Sequence, residues 1–560
     1  MRNIDDPRHV IENLFIGEII EVDGSHIVAE LDKSLSELAR TYEGNTYLVG
    51  QFGSIIKVHF AHKILYAYVG RLRMRSEYEA EKGIVVTDAS DERVVEADLF
   101  GEGTWILDSG EWKLSFGRGV SSYPLPQQYI YLTPQSELKY IFGNNKEDVI
   151  LLGEHVSSSG TPCYANINEL VGKHTAILGS TGSGKSGTVA KIMHSLIDYG
   201  KDKEAWNPRI IVLDPHNEYS KAFPAGNLLS TDEGTLKLPY WFLSYTEIVN
   251  LVIGKTEFAA TSQTNIIKNA LLVARKEGAA KIGLDPDKIN VDSPIPFLLT
   301  RFKEVIEAEK PPQASKQDSH NSILQKLESL ERDVRLKFML EEWTVEADPF
   351  IEILTLLISK SQPCIINLSG VPDEVAGITS SVIARTLFNL KVWQTLEERK
   401  QDPMLLVCEE AHRYVPNRGE AQYEAAQEAI KRVAKEGRKY GIGLLLVSQR
   451  PGELEPTVLS QCNSWLVHRI TNDNDRESIK SFFPDSMSGL VKMLSGLRRR
   501  EVIFVGQAAA LPSRILIENL DDDKLPKSND ISFTKGWVNA YLSEESLNQL
   551  AKRWRYLVRE

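Results

Sequence analysis

"HTAILGSTGSGKS", His174 to Ser186, decides how the rest of the chain is read. Its first half is a short apolar run ending in glycine, the pattern of a buried strand that stops in a turn. Its second half, Gly179 to Ser186, fits G-x-x-x-x-G-K-[ST], and Lys185 to Tyr199 reads as a helix. A strand before the glycines and a helix after them is the context in which this motif binds phosphate. The glycines let the backbone curl so that N–H groups point at phosphate oxygens, and the helix N-terminus adds its positive dipole end. The candidate nucleotide-binding residues are therefore Gly179, Ser180, Thr181, Gly182, Ser183, Gly184, Lys185, Ser186 and Gly187. Lys185 is placed to reach the β- and γ-phosphates, and the Ser186 hydroxyl to ligate Mg²⁺. ATP and Mg²⁺ are the expected cofactors.

Working outward, "RIIVLD", "PCIINL", "MLLVCE", "IGLLLVS" and "SWLVHRI" are continuous apolar runs rather than alternating ones. Such runs are expected of a parallel sheet covered on both faces. Strands alternating with helices give an α/β core from about residue 151. Between Thr246 and about Asp348 the strand signal vanishes and apolar residues recur at helical spacing, as in Ile323, Leu324, Leu327 and Leu330. This segment reads as a helical insertion. Within it the polar run "EKPPQASKQDSHN", Glu309 to Asn321, reads as a mobile loop. Strands return at Arg500–Val505 and Arg514–Ile517, and a last helix is expected over about Asp530 to Val558, without a core of its own.

Before the core the texture is different. Short runs at Ile16–Val22, Ser25–Leu31, Ser54–Phe60, Ile64–Met74, Arg93–Asp98, Lys113–Gly117 and Tyr129–Leu132 are punctuated by Gly, Asp and Asn. Many short strands at regular spacing indicate a small barrel or sandwich. The expected layout is a β-barrel over 1–150, the ATPase core over 151–245 and 349–528, the helical insertion over 246–348 and a helical tail over 529–560.

Bulk properties exclude several classes. The formal net charge is −12, which argues against a protein that coats nucleic acid over its whole surface but leaves room for a local basic channel. No apolar run approaches the roughly 18–20 residues that cross a bilayer, and Met1 to Arg8 has no signal-peptide character. A cytoplasmic protein without a membrane anchor is expected. Cys163, Cys364, Cys408 and Cys462 have no CxxC spacing and read as buried free thiols.

"MLLVCEEAHRY" places Glu409 and Glu410 at the C-terminal end of a buried strand, the edge where ligands bind in open α/β sheets. Glu409 is assigned to the Mg²⁺ shell and Glu410 to polarising the attacking water. Although "EEAH" resembles the DEAH box of two-lobed helicases, the chain has no Q-x-x-G-R-x-G-R element of a second lobe. Gln449, ending "LLLVSQ", is a candidate to orient water or sense the γ-phosphate. In "IIVLDPHNEYS", Asp214 and Glu218 either extend the Mg²⁺ or water network or form an Asp-Pro turn beside a solvated Glu.

"KEGRKYGIGLLLVSQRP", Lys435 to Pro451, sets Arg438 between a helix and a strand. Gly437 reads as the helix stop, with Glu428 and Arg432 paired at i,i+4 before it. Arg438 then either caps the helix dipole or acts as an arginine finger on a transferring phosphoryl group. Lys431, Arg432, Lys435, Arg438 and Lys439 form one basic cluster and Arg498–Arg500 another, solvated faces or the wall of a phosphate-facing channel. Asn417 and Arg418, in "VPNRGEAQ", are candidate DNA contacts.

Together, "HTAILGSTGSGKS", "IVLDPHNEY", "LLVCEEAHRY", "EGRKYGIGLLLVSQRP" and the preceding β module resemble the HerA branch of the HerA/FtsK ATPases, in order and over nearly the whole chain. The resemblance implies a HerA-type barrel, a RecA-like P-loop NTPase core with a helical insertion, and a homo-hexameric ring that moves on double-stranded DNA in its central pore. It implies nucleotide and Mg²⁺ binding by Lys185 and Ser186, catalysis by Glu410, γ-phosphate sensing by Gln449, and an arginine, Arg438, supplied to the neighbouring subunit. One departure is Glu409, where the first acidic position is commonly Asp. Archaeal-type rings pair with the NurA nuclease, and bacterial ones often with a sirtuin-like NADase or another nuclease in antiphage defence. The chain itself shows no nuclease or NADase motif, so such an effector is expected to dock on the N-terminal barrel. The alternative function is a ring-shaped scaffold that uses ATP to assemble and activate an effector, with DNA movement secondary. DNA-stimulated hydrolysis separates the first from the second.

Overall fold

The computed structural model describes residues 6–35, 37–51, 53–84, 92–142, 147–156, 160–202, 205–254, 260–344, 347–358, 362–417, 424–482, 488–527, 532–538 and 543–556. Nine strands come first: β1 (Phe15–Asp23), β2 (His26–Leu31), β3 (Ala39–Tyr42), β4 (Asn45–Leu48), β5 (Ile55–Phe60), β6 (Lys63–Met74), β7 (Arg93–Asp108), β8 (Glu111–Arg118) and β9 (Tyr129–Leu132). Among these described strands, six close into an antiparallel barrel in the order β2-β1-β9-β5-β6-β7, with β7 returning to β2. Alternate residues fill its interior: Ile27 and Ala29, Ile56 and Val58, Leu65, Ala67 and Val69, Val95 and Ala97, Ile130 and Leu132. That period of two is what turns a weak sequence signal into a closed core. Closure also removes the exposed strand edges of an open sheet. Gly17 permits the tightest approach, since a Cβ there would fall 2.1 Å from the Glu30 carbonyl oxygen.

β7 runs to Asp108, ten residues beyond the expected Asp98. Its second half pairs with β8, and Gly101 and Gly103 leave room for the rings of Phe116 and Tyr66. The β3–β4 hairpin was not expected, because its strands are short, polar and only half-buried.

The chain continues through β10 (Val149–His155), β11 (Pro162–Asn166), β12 (Thr175–Leu178), β13 (Arg209–Asp214), β14 (Asn227–Ser230), β15 (Cys364–Asn367), β16 (Met404–Cys408), β17 (Ile442–Ser448), β18 (Ser464–Val467), β19 (Glu501–Gly506) and β20 (Ser513–Ile517). Two compact units result. One comprises Met1–Leu170, Ile177–Ser195 and Asn463–Asn519; the other comprises Val171–Ala176, Leu196–Cys462 and Leu520–Glu560.

The first unit joins the barrel to the antiparallel order β11-β10-β20-β19-β18 and to the helix Lys185–Asp198. The barrel's outer face packs through Ile55, Ile64 and Tyr66 on Leu138, Ile141 and Leu511. Lys57 and Glu137 form a buried ion pair beneath it, and Tyr66 Oη donates to Glu137 Oε2 at 2.9 Å.

The second unit carries β17-β16-β13-β15-β14, all parallel, with Ile211 opposite both Cys364 and Leu406. These strands are buried throughout β15, β16 and β17, as their unbroken apolar sequence requires. "SWLVHRI" forms the buried strand β18, whose partner in this unit, β19, runs antiparallel to it. A continuous apolar run reports burial on both faces and is silent on strand direction.

The insertion is helical, with Tyr245–Val252, Ala260–Lys281, Leu299–Ala308 and Asp318–Glu331 as its main elements. Ser244 starts the first with a capping box closed by Glu247. The run Glu309–Asn321 is not a continuous loop. Its last residues begin the helix Asp318–Glu331, where His320 is buried with Ile323 and Leu327. The tail forms two helices, Phe533–Val538 and Glu544–Tyr556, rather than one. No described helix is long and apolar enough to cross a membrane. All four cysteines are free and buried.

Candidate active site

Gly179–Ser186 follows β12 and opens the helix Lys185–Asp198. Gly182 and Gly184 take φ of +72° and +109°, which only glycine adopts freely. Gly179 is required for space: a Cβ there would lie 2.5 Å from that of His468. The loop folds over the Ser180 carbonyl, which accepts from Ser183 Oγ at 2.7 Å and from Lys185 Nζ at 3.1 Å. Lys185 and Ser183 are buried, while Thr181 and Gly182 are exposed at the tip.

The segment after β18 braces this loop. The His468 N–H donates to the Leu178 carbonyl at 2.7 Å, and the Ser180 N–H to the Arg469 carbonyl at 2.8 Å. The His468 ring spans from the Ser183 carbonyl, 3.1 Å from Nδ1, to Thr188 Oγ1, 3.1 Å from Nε2. Burial and the Lys185 charge push His468 down to about 3, so the ring is neutral. Arg500, at φ +66°, donates its N–H to the same Ser183 carbonyl at 2.9 Å. Sequence reasoning missed His468 and placed Arg500 only in a basic cluster.

The second unit holds the carboxylates. β16 ends at Cys408, and Glu409 and Glu410 follow, 3% and 5% exposed. The pair is buried rather than solvated. Glu410 adopts the left-handed conformation at φ +52°, which sends the two side chains to different partners. Tyr219 Oη donates to Glu409 Oε2 at 3.0 Å. Gln449 Nε2 donates to Glu410 Oε1, and His412 Nδ1 lies 3.3 Å from Glu410 Oε2 and 3.2 Å from Ser448 Oγ. Burial raises Glu409 well above the usual carboxylate range, helped by the charges of Glu218 and Glu410 and opposed by the Tyr219 hydrogen bond. Burial also lowers His412 to about 4.

Asp214 ends β13 and is fully buried. Its two oxygens accept the backbone N–H groups of His216, at 3.2 Å, and Tyr219, at 3.0 Å. Burial raises its pKa against those hydrogen bonds. The Asp-Pro turn is therefore real, and it delivers Tyr219 to Glu409 and half-buried Glu218 to the same acidic neighbourhood. Among the described residues no three His, Cys, Asp or Glu side chains gather as a metal cage.

Gly437 does not stop its helix. The helix runs Glu424–Tyr440, and Gly441, at φ +76°, ends it. Gly437 is there for space, since a Cβ would meet the Ile442 carbonyl oxygen at 2.8 Å. Glu428 pairs with Lys431 at 3.4 Å rather than with Arg432, whose guanidinium lies 4.5 Å from the Phe388 ring centroid and 3.9 Å from Glu436. Arg438 therefore lies in the last helical turn. Its side chain is exposed and forms no hydrogen bond or ion pair among the described residues. Asn417 is half-buried, with its N–H on the Glu453 carbonyl and its amide on Gly452. Arg418 lies outside the described residues.

The family model described as "Helicase HerA, central domain" matches residues 150–387. A probable helicase of Methanocaldococcus jannaschii is 24% identical over 426 residues, 76% of each chain. The DNA double-strand break repair helicase HerA of Pyrococcus furiosus is 24% identical over 432 residues, covering 70% of this chain and 73% of that one. Among solved structures, VirB4 of Thermoanaerobacter pseudethanolicus shares 18% identity at a TM-score of 0.48, covering 68% of this chain and 98% of that one. The central-domain match and these relatives, similar over about three quarters of the chain, place it beside the HerA helicases and indicate an ATP-hydrolysing enzyme.

Proposed function

We propose that the chain is an ATP-driven translocase on double-stranded DNA, working as a homo-hexameric ring in which each subunit completes its neighbour's site. The observation that carries the reading is Arg438. Its side chain, exposed at the end of a helix and without a hydrogen bond or ion pair among the described residues, is available to another molecule. In this reading Gly179–Gly187 takes the ATP phosphates, with Lys185 on the β- and γ-phosphates. Ser186 would ligate Mg²⁺, and Glu409 and Asp214 would serve its water shell. Mg²⁺, when bound, neutralises phosphate charge and orients the phosphates for transfer. Glu410 accepts the proton of the water that attacks the γ-phosphorus, and Gln449 fixes the Glu410 carboxylate and responds to the γ-phosphate. Arg438 stabilises the charge that develops on the transferring phosphoryl group, a contribution of about 10³ or more in rate for such fingers. Asn417 and Arg418 are the proposed DNA contacts. The N-terminal barrel is the proposed dock for an effector, a nuclease or a sirtuin-like NADase.

The test mixes two variants, Lys185→Ala and Arg438→Ala, each expected to be nearly inactive alone. After subunit exchange, confirmed by native mass, ATPase is measured with duplex DNA. Recovered activity is the expected result, because an intact Lys185 site can meet an intact Arg438 on the next subunit. No recovery in proven mixed rings overturns the shared site.

A further inference from the structure

We propose that His468 is a positioning residue for ATP binding: its imidazole pins the Ser183 peptide of the phosphate-binding loop and ties it to the first turn of the following helix, so that the Gly184 N–H faces the phosphates. The inference rests on the reading that Gly179–Gly187 takes the nucleotide. Its geometry is local and complete. The Ser183 carbonyl receives two donors, His468 Nδ1–H at 3.1 Å and the Arg500 N–H at 2.9 Å. A trans peptide holds its C=O and the following N–H in opposite directions. Pinning the Ser183 carbonyl toward His468 therefore turns the Gly184 N–H to the other side of the loop.

The next peptide is held by the helix itself. The Gly184 carbonyl accepts the Thr188 N–H at 3.0 Å, which turns the Lys185 N–H away from it. The Thr188 hydroxyl lies 3.2 Å from that carbonyl and 3.1 Å from His468 Nε2. With the ring proton on Nδ1, Nε2 is a lone pair that accepts from Thr188. The imidazole is thus a rigid strut between the inside of the loop and the first turn of its helix. Full burial of His468 and the nearby Lys185 charge keep it neutral, the state the strut needs. Its backbone fixes the loop's base through Leu178, and its Cβ position makes glycine obligatory at 179. Such orientation of backbone donors before the ligand arrives is preorganisation, which appears in affinity.

The experiment titrates a fluorescent, slowly hydrolysed ATP analogue into the full-length chain and measures steady-state ATPase beside it. His468→Ala is expected to weaken binding and raise KM about tenfold or more, with kcat changed less than threefold. His468→Asn keeps an N–H where Nδ1 stands and should recover a part of the loss. Thr188→Val, nearly the same shape as threonine, should weaken binding severalfold in the parent and add nothing on top of His468→Ala. If His468→Ala does not fold, His468→Asn and Thr188→Val carry the test. Folded variants that bind the analogue like the parent overturn the inference, whatever their melting temperatures. Lys185→Ala separates this failure from failure of the underlying reading. If Lys185→Ala also binds like the parent, the loop is not the nucleotide site. If it loses binding while the His468 and Thr188 variants do not, only the His468 strut is wrong.

Discussion

Glu410 shows how a single residue's backbone sets its chemistry. An ordinary strand continuation would place Glu409 and Glu410 on opposite faces of the sheet. The left-handed turn at Glu410 instead brings its carboxylate to Gln449 and His412, both within the loops that follow β16 and β17. Glu410→Gln should therefore abolish most turnover, by about 10²-fold or more, the range for loss of a general base. Nucleotide affinity and melting temperature should remain near the parent's, because the amide retains the shape and a hydrogen-bonding oxygen. ATPase rates and analogue titration check this together; a variant that hydrolyses ATP at the parent's rate moves the catalytic carboxylate elsewhere. The motif residues were legible in the sequence because their chemistry lies within a few positions of one another, as in Gly179–Ser186. Tyr219, His412 and His468 were not. Tyr219 reaches Glu409 across 190 positions, and His468 reaches Ser183 across 285. Nothing in a periodic pattern marks a tyrosine or histidine that is buried because a distant partner needs it.

At the scale of elements, the sequence was most legible where one pattern had one physical cause. Continuous apolar runs became buried strands, and alternate residues became the barrel interior. Strand direction was not legible, because burial of both faces is compatible with either neighbour. Glycines were ambiguous for the same kind of reason. "GRKYGIG" holds three, and each does something different. Gly441 has the positive φ of a helix end; Gly437 and Gly443 have ordinary φ but lie against the carbonyl oxygens of Ile442 and Val171. Gly441→Ala should cost about 1–2 kcal/mol, the penalty of a left-handed L-residue. Gly437→Ala is the sharper test. Helix propensity alone predicts a gain of about 1 kcal/mol in mid-helix, whereas a Cβ 2.8 Å from the Ile442 oxygen requires the helix and β17 to part. A lower denaturation midpoint is expected for Gly437→Ala, with ATPase falling as Arg438 is displaced. A stabilised variant would mean that the helix end yields without cost.

Across the whole molecule, buried histidines tie stability to pH. Burial is the first cause that lowers His59, His174 and His412 to about 4 and His155 and His468 to about 3. Geometry agrees at His174, whose Nδ1 accepts the Leu444 N–H at 3.0 Å while Nε2 lies 3.0 Å from the Ala434 carbonyl, an arrangement that needs a neutral ring. In the unfolded chain these rings take up protons near pH 6.5; in the fold they do not until pH 4 or below. Below about pH 6.5 the unfolded state therefore binds more protons, and stability falls with falling pH by about 1.4 kcal/mol per unit for each such ring. Three groups oppose this. His26 is raised by its hydrogen bond to Asp98, while Asp214 and Glu409 are raised by burial, so each takes up protons more readily in the fold. Asp214 and Glu409, ionised in the unfolded chain above about pH 4, each offset at most one ring in this window, so the five depressed rings outweigh the three opposing groups. The melting temperature should thus be level from pH 8 to about 7 and decline through pH 6.5 to 5, before ordinary carboxylates titrate. His155 gives the control. Its ring stacks on Phe142 with centroids 3.6 Å apart, so His155→Phe keeps an aromatic face there and removes the proton site. The variant should lose about one ring's share of the slope between pH 6.5 and 5. An unchanged slope in a folded variant would mean that His155 is not held neutral, and a melting temperature level down to pH 5 would reject the argument for the set.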